Sequence, residues 1–185
     1  MPIWVWIILA VVVLIVLWAV GVYNKLIRKR NDCEEGFSTM DVYMKKRYDL
    51  VPNLVETVKG YAKHESETLE KVIAARNTAS SASTMEAKAE GENVLSGALR
   101  QLFALSEAYP DLKANTNFID LQRQLTAIEE DIANSRKYYN AVVKEYNNCC
   151  MVIPDSIIAG MGHFTTKEMF IVDEEAERKN VKVQF

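Results

Sequence analysis

Residues that turn a chain are scarce here, with 7 glycines and 4 prolines among 185 residues. Both are sparse between residues 23 and 109, so frequent turns are excluded there and long helices are the natural outcome. Gly21, Gly36, Gly60, Gly91 and Gly97 stand alone, and no phosphate-cradling loop forms around them. Histidine is scarcer still: His64 and His163 leave few candidates for a histidine-based metal site. His64-Glu65 opens the metalloprotease helix pattern, but Thr68 stands where the second imidazole is needed, so His64 reads as solvated. The three cysteines, Cys33, Cys149 and Cys150, make no disulfide framework, because the adjacent pair cannot readily bridge to itself. They suit a reducing compartment and read as small packing residues. Net charge is only -3 and no basic stripe carries interleaved aromatics, which removes nucleic acid as a partner. Glu67, Glu70, Glu129, Glu130 and Asp131 fall on predicted polar faces as solvated charge. No nucleophile–base pair and no ligand set emerges, so catalytic, cofactor and metal residues are all expected to be none.

Charge itself is missing from residues 3–22, a run of about 20 residues. At about 1.5 Å per residue it covers about 30 Å, the hydrocarbon thickness of a bilayer. Trp4, Trp6 and Trp18 lie toward its ends, where amphipathic rings favour the headgroup layer. A cleaved signal peptide fits poorly: only Met1 and Pro2 precede the run, and its apolar core is too long. Lys25, Arg28, Lys29 and Arg30 follow at once, with no Lys or Arg on the other side. The positive-inside bias then puts a short N-terminus outside and the rest of the chain in the cytoplasm.

Beyond the anchor, Leu26, Cys33, Phe37, Met40, Met44 and Val51 keep helical spacing, so the membrane helix is expected to run on into the domain. Pro52 interrupts next. It either opens a second helix, capped by Asp49 or Asn53, or kinks one very long helix in a three-helix arrangement. The first reading gives a second stripe through Leu54, Val58, Tyr61, Leu69, Val72 and Ile73 to about Thr78. After the small polar connector 79–84, a third helix starts at Thr84 and carries Leu95, Leu99, Leu102 and Phe103 to Tyr109-Pro110-Asp111. The clearest helix spans 116–149, with Asn115 or Thr116 as its cap. Phe118, Leu121, Leu125, Ile128, Ile132, Tyr139, Val142, Tyr146 and Cys149 make its single stripe.

The expected architecture is therefore all-α: a transmembrane anchor (1–22), an up-and-down four-helix bundle (23–150) and an irregular tail (151–185). A fourth helix in such a bundle returns toward the membrane. The apolar start of the tail, including Ile157, Ile158 and Phe164, would then lie near the bilayer surface. There it covers the bundle's open end, touches lipid or meets a neighbouring subunit. Residues 173–185 are charged and expected to be solvated.

Three charges fall on apolar stripes: Arg47 between Met44 and Val51, Glu65 between Tyr61 and Leu69, and Arg136 between Ile132 and Tyr139. Buried charge needs partners, so inward arginine–carboxylate pairs, or at least snorkelling stems, are expected, with a structural role.

The stretch Arg47-Tyr48-Asp49-Leu50-Val51-Pro52-Asn53-Leu54-Val55-Glu56-Thr57-Val58-Lys59-Gly60-Tyr61-Ala62-Lys63-His64-Glu65 closely resembles the signature of the LemA family. Tyr23-Asn24-Lys25-Leu26, Ala74-Ala75-Arg76, Ser135-Arg136-Lys137-Tyr138-Tyr139-Asn140 and Pro154-Asp155-Ser156-Ile157-Ile158-Ala159-Gly160 resemble further motifs of that family in order. Departures are local, at Cys33 and Glu34-Glu35 and in a less aromatic tail. The resemblance implies a bacterial inner-membrane protein with one span and a cytoplasmic helical bundle, and it supplies no enzyme activity. Two function classes follow: a self-associating scaffold that organises the bilayer, and an adaptor or regulator of another membrane protein.

Overall fold

A computed structural model describes residues 2–171, and residues 173–185, read above as solvated tail, lie outside them. The fold is all-α. Among the described residues there are six helices and no strand: α1 (Ile3–Lys59), α2 (Ser66–Ser81), α3 (Met85–Ser106), α4 (Pro110–Lys113), α5 (Thr116–Met151) and α6 (Asp155–Met161). The chain divides into two compact units, and both α1 and α5 contribute a portion to each.

The unit formed by Met40–Asn134 is an up-down-up-down bundle of the end of α1, α2, α3 and the start of α5. Directions follow from facing pairs. Tyr48 meets Arg76 across α1 and α2, whereas Asp41 meets Lys88 and Arg47 meets Ser96 across α1 and α3. Ser96 with Glu129 and Phe103 with Phe118 set α5 antiparallel to α3. Its core holds Met44, Val51, Leu54, Leu95, Leu102, Leu112 and Phe118. Thr84 caps α3 by accepting from the Ala87 N–H at 3.1 Å, and Asn115 caps α5 by accepting from Phe118 N–H at 3.0 Å. Gly91 is a close-approach site: a Cβ there would stand 2.8 Å from Ala79 Cα, so α2 and α3 touch backbone to backbone.

Pro52 does not open a new helix. It lies inside α1, which continues to Lys59, and the break falls at residues 60–65 instead. Proline has no N–H to give Tyr48 C=O, four residues back, and costs about 3 kcal/mol in a helix interior. Arg76 supplies the missing donor, its Nε reaching Tyr48 O at 3.1 Å. Val51, Leu54, Val55 and Val58 are buried around the proline, each contributing about 1.5–3 kcal/mol. Packing outweighs the local penalty, and the helix runs on.

The other unit pairs α1 up to Thr39 with Ser135–Met169. Gly36 packs on Tyr138 and Tyr139, and Lys29 reaches Glu145, so α1 and α5 run antiparallel here. Val22, Leu26, Cys33, Tyr139, Val143 and Tyr146 are buried. The segment after α5 is not wholly irregular, because α6 forms within it. At its end His163, with φ 55, turns the chain, and Gly162 leaves room that the Phe164 ring occupies. Residues 164–168 then lie as an extended strap on α5. Tyr139 and Tyr146 donate their hydroxyls to the Glu168 and Thr165 carbonyls, both at 2.9 Å. The Asn147 amide makes a two-way bond with the Lys167 backbone.

Candidate functional site

In the bundle, α1 carries Arg47 into the interior, where it is 1% exposed. Its Nη1 donates to Ser96 Oγ at 2.9 Å and to Glu129, and its Nη2 donates to Glu92. The Tyr48 hydroxyl donates to the other oxygen of Glu92, and Ser96 Oγ donates to Glu129 at 2.9 Å. Arg47 Nε has no hydrogen-bond partner among the described residues. One guanidinium thus holds two carboxylates, a buried one on α3 and a half-exposed one on α5. Burial, reinforced by the Glu92 charge, pushes the Tyr48 phenol well above its ordinary range and keeps it a donor. Losing one partner of such a set leaves a desolvated charge behind, so the network ties three helices in one register.

The other stripe charges are placed differently. Glu65 is half-buried just before α2 and accepts from the Tyr109 hydroxyl at 3.0 Å rather than from an arginine. Arg136 is half-buried. Glu129 does not stand as plain solvated charge, since it closes the Arg47 network. The sequence reading missed Glu92, whose place three and seven residues before Leu95 and Leu99 marks it on the α3 stripe. Between α1 and α2 runs a groove of about 530 Å3, lined by Pro52, Val55, Lys59, Leu69 and Ile73. Among the described residues no group of three His, Cys, Asp or Glu side chains could hold a metal ion. His64 is exposed, and the Cys149 and Cys150 thiols are half-buried.

The second candidate lies in the unit that holds the start of α1. This helix is long and apolar enough to cross a membrane. Trp4, Trp6 and Trp18 are exposed on it, as are the aliphatic residues from Ile7 to Leu17. Val22 is the first buried residue along the helix, and Leu26, one turn on, is buried too. Just beyond Val22, Lys25 bonds Asp155 at 2.8 Å, Lys29 pairs with Glu145, and Arg30 stacks 5.7 Å over the Phe164 ring. Donating hydrogen bonds to the Asp155 and Glu145 carboxylates raises the Lys25 and Lys29 ammonium groups above their ordinary range. Tyr23 meets Phe164 edge-on at 5.4 Å, and Arg28 is exposed.

Of the apolar residues singled out near this end, Ile157 is exposed, whereas Ile158 and Phe164 are half-buried. Phe164 packs on α1 and serves as an internal contact. The exposed apolar residues there are instead Met151 at the end of α5, Val152 and Ile153 in the turn after it, and Ile157 and Met161 on one face of α6. Neither the buried network nor this exposed set offers a nucleophile held against a base. The first fixes helices, and the second presents apolar surface.

Comparison with known proteins adds a lineage. The sequence profile of the LemA family matches residues 36–185. Protein LemA of Metamycoplasma hominis is 28% identical over 134 residues, covering 70% of this chain. The match spans 59% of that relative's own length.

Proposed function

The chain belongs to the LemA family, and on that premise we propose that it is a non-enzymatic scaffold, anchored by one span in the bacterial cytoplasmic membrane, that self-associates and organises the bilayer. The observation that carries this reading is α1, whose first 20 or so residues form an exposed apolar surface and whose last turns are core of the four-helix bundle. A chain anchored in this way is confined to the plane of the bilayer, where copies meet at a raised effective concentration. The basic cluster Lys25, Arg28, Lys29 and Arg30 supports a cytoplasmic bundle and a short outer N-terminus. The partners are the lipid bilayer and other copies of the chain, with no nucleic acid and no cofactor.

The test is mass and exchange. Full-length protein in mild detergent should run larger than a monomer by light scattering, and differently tagged copies should co-purify from one membrane. Monomer at every concentration, with no co-purification, overturns the scaffold. A second reading, an adaptor for another membrane protein, is favoured by the groove between α1 and α2, whose apolar wall residues Val55, Leu69 and Ile73 could take apolar side chains of a partner. Cross-linking in cells should then recover that protein and lose it on Ile73→Glu. Recovery of self alone overturns the adaptor.

A further inference from the structure

We infer that Met151, Val152, Ile153, Ile157 and Met161 form a lipid-contacting collar, seated in the headgroup layer of the leaflet from which α1 emerges. This rests on reading α1 as a membrane anchor. Three observations converge on it.

The first is depth. Facing pairs between α1 and α5 keep step: Gly36 with Tyr139, Lys29 with Glu145, and Lys25 beside Cys149. Continued in the same register, Met151 comes level with Tyr23, one residue past the end of the apolar run. Asp155 is bonded to Lys25, which stands about 4.5 Å of helix rise beyond Val22. The headgroup layer is about 5–7 Å deep on each side of the hydrocarbon core. The end of α5 and the start of α6 therefore share the headgroup depth with α1.

The second is exposure. Ile153 is 78% exposed and Met161 75%, while Ala159, on the same short helix as Met161, is buried. Such a cluster facing water would waste apolar burial, whereas an interfacial segment sinks about 5–10 Å into the headgroup and acyl boundary. The third is charge. The acids nearest this end, Asp155 and Glu145, are each neutralised by a lysine of α1, and Arg28 is exposed, where a lipid phosphate can reach it. The end that meets an anionic leaflet carries no uncompensated acid among these pairs.

The test uses full-length protein with Cys33, Cys149 and Cys150 replaced by serine or alanine, reconstituted in phosphatidylcholine–phosphatidylglycerol vesicles. Nitroxide labels go singly at Ile157→Cys and Met161→Cys, with Val12→Cys in the span and Glu130→Cys on the exposed face of α5 as references. The ratio of oxygen to nickel-complex accessibility reads lipid against water. Labels at 157 and 161 should give ratios severalfold above that at 130 and below that at 12. Water-like labels at 157 and 161, with a lipid-like label at 12, overturn the collar and leave the anchor standing. Labels at 157 and 161 shielded from both reagents put protein there instead and also overturn it. A water-like label at position 12 overturns the anchor and the collar together.

Discussion

The carbonyl of Tyr48 takes its hydrogen bond from Arg76, on another helix, and not from the residue four places along its own. That residue is Pro52, which has nothing to donate. The proline and the arginine are therefore one device: the first orphans a buried acceptor, and the second satisfies it.

Arg76→Met should destabilise the bundle by about 1–3 kcal/mol, the usual cost of a buried acceptor left without a donor. In a Pro52→Ala background the helix regains its own N–H, and the same substitution should cost clearly less. Urea unfolding of the four proteins in detergent measures the coupling. Equal costs in both backgrounds would show that the two residues act independently.

Arg47→Met should be more damaging, about 3–5 kcal/mol, because it strands the Glu92 carboxylate in the core. Adding Glu92→Gln to Arg47→Met should recover part of that loss, since the remaining group is uncharged. Thermal unfolding followed by helical circular dichroism reads both. A double variant no more stable than Arg47→Met alone would count against the ion pair as the source.

Stability should fall on the alkaline side. The Tyr48 phenol is raised above its unfolded value of about 10, first by burial and then by Glu92. Its contribution is thus fully present below about pH 10 and is lost as pH rises through the folded value. Burial raises Tyr139 in the same direction, and it takes Tyr146 to about 12 with help from Cys150. The unfolding midpoint should therefore hold steady from pH 7 to 9 and drop above about 10. Tyr48→Phe should lower the plateau, by removing a donor from Glu92, and flatten the drop.

Two glycines of α3 should respond oppositely to the same change. Gly91→Ala drives a methyl into the Ala79 backbone and should cost about 1–3 kcal/mol. Gly97→Ala meets nothing within 4 Å and should stabilise by up to about 1 kcal/mol through helix propensity. Paired melting curves decide it, and two changes of the same sign would contradict the packing described for α2 and α3.

Local chemistry was readable along the chain. Asn115 and Thr84 mark helix starts by side chains that act three residues away, and α5 declares itself by one unbroken stripe. Arg47 stood out as a charge where an apolar side chain was due. What escaped depends on distant groups. The cost of Pro52 is local, but its compensation comes from Arg76, 28 positions from the carbonyl it serves. Glu92 and Glu129 find Arg47 only once three helices are in register. Helix α6 is too short to declare itself by periodicity, and packing of Ala159 and Phe164 holds it.

The strap at 164–168 is gripped through its peptide groups, by two tyrosine hydroxyls and one asparagine amide. Apart from the Phe164 ring and the Lys167–Glu34 pair, such a grip is indifferent to which side chains the residues carry but sensitive to their spacing. Substitutions at Thr166 should pass unnoticed, whereas with Thr165 held on Tyr146, inserting or deleting one residue before Lys167 would take the Lys167 and Glu168 carbonyls out of step with Asn147 and Tyr139. The segment behaves as a ruler: what has been specified there is a number of residues.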